Sequence, residues 1–98
     1  MTYAELTQSA PVVLVEFFAS WCPHCQRMMP VVEQVKELLG DTAKVYQLDI
    51  DENQDAAGEA GVQSVPTFIV YKNGEEMWRQ SGEMGGDTLL GHVQAYVN

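Results

Sequence analysis

Positive charge is scarce in this chain: five lysines and arginines stand against fourteen aspartates and glutamates, a formal net charge of −9. That balance repels phosphate, so it excludes nucleic acid as a natural partner and argues against an anionic membrane surface. Neutral, apolar or basic contact surfaces remain as partners. Long apolar runs are missing too. The run from Val12 to Phe18 is far short of the roughly 20 residues that cross a bilayer. Met1 to Ala10 hold no Lys or Arg and no apolar segment of the kind an export signal needs, so the cytosol is the expected compartment. Cysteine is equally sparse. The only two, Cys22 and Cys25, cannot build a disulfide framework, and a close pair in a reducing compartment is more often catalytic or metal-binding than structural. Linkers, repeats and low-complexity segments are absent, so residues 1–98 read as one domain.

What is present is a core: 46 % of the 98 residues are hydrophobic, enough for a single modest globule with little room for a second site. Tyr3 to Ser9 reads as a short helix with Thr2 as N-cap. Val12 to Phe18 is nearly continuous in apolar side chains, as expected of a central strand covered on both faces. Beyond Cys25, Met28, Val31, Val32, Val35, Leu38 and Leu39 recur at helical spacing as one buried face. Gly40 ends that helix, and Pro30 inside it is expected to kink it. Lys44 to Ile50 reads as a second strand. Asp51 or Asn53 is the expected cap of a short helix ending near Ala60 and Gly61. Pro66 opens a third strand through Tyr71, Asn73-Gly74 marks a hairpin, and a fourth strand covers Glu75 to Gln80. A terminal helix follows Gly85-Gly86-Asp87, with Leu89, Leu90, Val93 and Tyr96 or Val97 inward. The order β-α-β-α-β-β-α predicts an α/β fold: a four-stranded mixed central sheet flanked by helices, with a parallel βαβ pair and an antiparallel hairpin edge.

The chemistry gathers at Trp21-Cys22-Pro23-His24-Cys25. A cysteine where a strand ends and a helix begins meets unpaired N–H groups and the positive end of the helix dipole, which favour its thiolate, the nucleophile of disulfide exchange. Cys22 is therefore the expected nucleophile. Cys25, on the same helical face, is the expected resolving thiol that attacks the mixed disulfide. No cofactor is needed for this exchange. Zinc is the competing reading, but His24 and His92 are the only histidines to complete a four-ligand set, and His24 is awkwardly placed between the cysteines. An imidazolium at His24 beside the Cys22 thiolate would stabilise the reduced form and make the pair a stronger oxidant; a passive exposed turn residue is the alternative. Glu16, an acid within an apolar strand, is expected to be buried with a raised pKa, placed to take the proton of Cys25. The alternative is an outward position at the strand end. Val65-Pro66-Thr67 is expected to face Cys22, with the Val65 backbone open to pair with an extended substrate peptide.

Two segments look functional and are not. Asp49 to Asp55 begins like a calcium loop but has Gln54 at the required glycine and Ala60 at the bidentate glutamate. His92 reads as a surface residue without a partner.

Taken together, Val15-Glu16-Phe17-Phe18-Ala19-Ser20-Trp21-Cys22, Gln26-Arg27-Met28-Met29-Pro30, Leu48 to Asn53, Val65-Pro66-Thr67, Lys72-Asn73-Gly74 and Gly82 resemble the thioredoxin family over nearly the whole chain. The resemblance implies a thioredoxin fold lacking the family's first strand, Cys22 and Cys25 as the redox pair, and Trp21 packed beside them. It also implies a cis-proline at Pro66, Gly82 at the border of the substrate groove and Glu16 in the place of a buried aspartate. Pro23-His24 stands where Gly-Pro is usual and resembles the dipeptide of periplasmic disulfide oxidases. Gln47 replaces the usual lysine near the buried acid. Gly85-Gly86-Asp87 faintly resembles the glutathione-holding turn of glutaredoxins, although Arg27 is the only cation nearby in sequence.

The expected function is thus a monomeric, cytosolic protein disulfide reductase acting on disulfide-containing proteins, recharged by a flavoprotein reductase as the resemblance implies. A disulfide oxidase or isomerase is the first alternative and a glutathione-linked oxidoreductase the second. A non-catalytic binding module or metal carrier is the alternative from another class.

Overall fold

A computed structural model describes residues 1–97. Strand β1, Val12–Phe18, pairs in parallel with β2, Lys44–Asp49, and antiparallel with β3, Thr67–Lys72; β3 pairs antiparallel with β4, Glu75–Ser81. The sheet order is β2-β1-β3-β4. The central position of β1 explains its composition. Alternate residues leave opposite faces of a strand, and here both faces are roofed. Val12 and Leu14 join Phe68 and Val70 beneath one pair of helices, while Val13, Val15 and Phe17 join Ile69 and Tyr71 on the other side.

Helices α1, Tyr3–Thr7, and α3, Gln54–Ala60, cover the second face. Thr2 caps α1 as expected, in a reciprocal box with Glu5. Asn53 occupies the N-cap position of α3 but makes no side-chain capping bond, and Asp51 is engaged elsewhere.

The first face is covered by α2, Pro23–Leu39, and α4, Gly86–Gln94. Helix α2 runs on through Pro30 as one segment. Met28, Val32, Val35 and Leu39 form its buried stripe, whereas Leu38 is 66 % exposed, contrary to the expected inward set. At about 100° per residue, Leu38 lies about a quarter-turn off that stripe and Val31 is only half-buried at its edge. In α4, Leu89 and Val93 are buried, with Leu90, Tyr96 and Val97 partly buried around them. His92 departs from expectation: its ring stacks on Trp78 of the edge strand at 4.1 Å and 13°. The spacing of α4 showed only which side of the helix faces in, not that β4 presents an indole there.

The Asn73-Gly74 turn has φ of 50° and 83°, the paired positive values of a two-residue hairpin that matches strand twist. A Cβ on Gly74 would also lie 2.7 Å from Gln8 Cγ. Gly74→Ala is therefore expected to destabilise the fold by about 1–2 kcal/mol, read as a shift in the urea midpoint at unchanged slope. An unchanged midpoint would contradict this account of the turn.

Candidate active site

Strand β1 delivers the chain through Ala19-Ser20-Trp21 to the first turn of α2. Cys22 is the N-cap residue there, in extended conformation, and its sulfur accepts the Cys25 N–H at 3.3 Å. Pro23 takes the first helical position, where a missing N–H costs nothing and φ is already helical. Both cysteines are free thiols and buried, 4 % and 1 % exposed. The Cys22 sulfur thus faces a helix N-terminus from which N–H groups point at it.

From the opposite side comes the loop before β3. The Val65–Pro66 peptide is cis, and the Cys22 thiol donates to the Val65 carbonyl at 3.7 Å. The Gly82 N–H in turn donates to the Pro66 carbonyl at 2.8 Å. Gly82 has φ of +96° with no atom within 4 Å of where a Cβ would lie, so the backbone is bare on this wall. Trp21 is 63 % exposed and its indole N–H is held by Asp51 at 2.9 Å. Beside it runs an apolar hollow of about 240 Å³ lined by Ile50, Ala57, Val62 and Val65. Cys22, Cys25, Trp21, Pro23, Val65, Pro66 and Gly82 therefore converge on one end of the sheet.

Glu16 lies below them on the same sheet face as Leu14 and is 0 % exposed. The β1–β2 register sets Gln47 opposite it, and the Gln47 amide donates to Oε1 at 3.0 Å while Oε2 has no partner. Burial raises the Glu16 pKa, partly offset by that bond. Gln47 is thus a neutral hydrogen-bond donor where a charge partner is usual. Above it, burial, the Cys22 sulfur and the Glu16 carboxylate push the Cys25 thiol up to about 12.

His24 is exposed, as the second of its two expected readings had it, but not without partners. Its polar contacts run to Glu83 and Arg27, not to Cys22. The Glu83 carboxylate meets His24 Nδ1 and, on the same oxygen, accepts from Arg27 Nε at 3.0 Å and Nη2 at 2.8 Å. Arg27, the lone cation considered for glutathione, is committed to this cluster. Glu83 and Asp51 were missed as partners of the site, Arg27 was noted only as a nearby cation, and Gln47 was set near the buried acid by the family resemblance alone. Their contacts span 18 or more residues to the far element, and no local pattern marks them.

A family model described as Thioredoxin matches residues 2–95. The chain belongs to the thioredoxin family. It is 46 % identical over 67 residues to the thioredoxin of Bacillus subtilis, covering 68 % of this chain and 64 % of that one. It is 34 % identical to chloroplastic thioredoxin Y of Oryza sativa, over 92 % of this chain and 54 % of that one. The match therefore spans less than two thirds of these two relatives. With the thioredoxin of Listeria monocytogenes it shares 39 % identity over 95 % of this chain and 90 % of the other. Among solved structures, a thioredoxin variant from Halobacterium salinarum superimposes with a TM-score of 0.87 at 36 % identity, over 97 % of this chain and 82 % of that one. Oxidised thioredoxin from Plasmodium falciparum gives 0.84 at 27 % identity, over 98 % and 90 %.

Thioredoxins are thiol–disulfide oxidoreductases, and this chain carries the family's paired cysteines on the family's fold. The oxidase, isomerase and glutaredoxin readings are not favoured by these relatives. Among the described residues, no helix is long and apolar enough to cross a membrane.

Proposed function

We propose that this thioredoxin-family chain reduces disulfides in proteins, working as a monomer in a reducing, cytoplasmic compartment. The observation that carries the reading is the setting of Cys22: its sulfur caps a helix and faces the Val65 carbonyl on a bare backbone wall. A substrate disulfide flanked by extended peptide can pair with the Val65 backbone as an added strand, its apolar side chains meeting Trp21.

The Cys22 thiolate attacks one substrate sulfur. A sulfur–sulfur bond forms to the enzyme, the substrate bond breaks, and the leaving thiolate takes a proton. Cys25 then gives its proton to the Glu16 carboxylate, directly or through water, and attacks Cys22. The second substrate sulfur leaves as a thiolate and takes a proton from water, and an enzyme disulfide remains. Two electrons have passed to the substrate. The high pKa of Cys25 keeps it protonated at rest, so its attack depends on a base acting at that moment. A flavoprotein thioredoxin reductase is the proposed donor that restores the dithiol.

With dithiothreitol as reductant, catalytic amounts of the chain are expected to accelerate insulin reduction at least about tenfold over dithiothreitol alone. A rate equal to the dithiothreitol background would contradict the proposal.

A further inference from the structure

The His24–Glu83–Arg27 cluster joins the first turn of α2 to the segment after β4. It closes a ring of contacts around the site. Cys22 meets the Val65 carbonyl, Pro66 is held by the Gly82 N–H, and Glu83, next along the chain, is bound by His24 and Arg27 back on the helix. Arg27 and His24 converge on one carboxylate oxygen, and with Arg27 contributing first and His24 second, they hold the Glu83 carboxyl down at about 2. It is an anion under all ordinary conditions.

His24 sits between the two cysteines, where an imidazolium turned toward Cys22 would donate to the thiolate of the reduced form. Stabilising that form makes the pair more oxidising. Here Nδ1 is turned to Glu83 instead. We propose that Glu83 is a positioning residue that keeps the Cys22–Cys25 couple reducing by holding the His24 ring away from the Cys22 sulfur. This rests on the disulfide-reductase reading above. His24 and Glu83 are 62 % and 37 % exposed, and ion pairs so exposed to water are individually weak. The effect on the couple is therefore modest and belongs to the ring orientation, not to the stability of the fold.

The test is the equilibrium with glutathione, in which the enzyme disulfide and two glutathione thiols give the enzyme dithiol and one glutathione disulfide. It is measured for the unaltered chain, Glu83→Gln, His24→Ala and the double variant. Glu83→Gln is expected to shift the constant toward the dithiol by about three- to tenfold, equivalent to about 14–30 mV. In the His24→Ala background the logarithmic shift is expected to fall below half of that, because the released ring is gone; any direct pull of Arg27 persists in both backgrounds and cancels. A shift under threefold, a shift toward the disulfide, or a shift in the His24→Ala background at least half as large would each overturn the proposal. Failure of the unaltered chain to form a Cys22–Cys25 disulfide at all would instead overturn the underlying redox reading.

Discussion

Cys22→Ser is expected to lower insulin reduction by at least about a thousandfold, because a hydroxyl remains protonated where a thiol can ionise. Cys25→Ser is expected to behave differently. Cys22 still attacks, but no second thiol follows it in the first turn of the helix, so the mixed disulfide accumulates as a covalent adduct. Intact-mass spectrometry after incubation with a disulfide substrate checks both outcomes: an adduct on Cys25→Ser and none on Cys22→Ser. An adduct carried by Cys25 in the Cys22→Ser variant would reverse the assignment. The asymmetry is physical. Cys22 lies at the loop side facing Val65, and Cys25 is 1 % exposed beneath it with a thiol pushed up to about 12.

Glu16→Leu is expected to raise stability at pH 7 by about 1–3 kcal/mol and to slow resolution of the mixed disulfide by about 10²-fold. The stability gain follows from a buried acid with one oxygen unpartnered. Folding holds the Glu16 proton to higher pH than the unfolded chain, whose value is near 4.5. Wild-type stability from this group is therefore fullest below the unfolded pKa and falls as pH rises through the folded one. Leucine removes that fall, so the gain should be large at neutral pH and shrink as the solution is acidified toward pH 4. Glu16→Gln, which keeps an acceptor for Gln47, should show the same kinetic loss. Urea titrations at several pH values check the first part, and stopped-flow decay of the mixed disulfide the second. A gain that is constant with pH, or resolution at the wild-type rate, would contradict the role given to Glu16.

Much of this was legible from sequence for a definite reason. Strand β1 matches the expected Val12 to Phe18 because a strand roofed on both faces must be apolar on both, and Asn73-Gly74 marks the β3–β4 turn because few other pairs accept two positive φ values. The Cys22–Cys25 spacing is likewise local, and helix geometry alone brings the two together. What sequence did not disclose lies across the fold. Asp51 reaches Trp21 from the end of another strand and Glu83 captures His24 from 59 residues away, while the Gln47–Glu16 bond, set by the β1–β2 register, was foreshadowed only by the family resemblance. Each is a polar residue on a short segment, indistinguishable in one dimension from a solvated surface. The reading that set His24 against Cys22 overlooked Glu83 for the same reason: position beside Cys22 argued for contact with it, while the competing acid came from another element. Trp78 under His92 is the apolar counterpart.

The most direct measurement is the reduction potential of the Cys22–Cys25 couple in glutathione buffers, followed by Trp21 fluorescence. With His24 bound to Glu83, the account predicts a value close to the roughly −270 mV of thioredoxin, that of a general protein disulfide reductase. A value near roughly −180 mV or higher would contradict it, placing His24 in command of the Cys22 thiolate and making the chain an oxidant of other proteins.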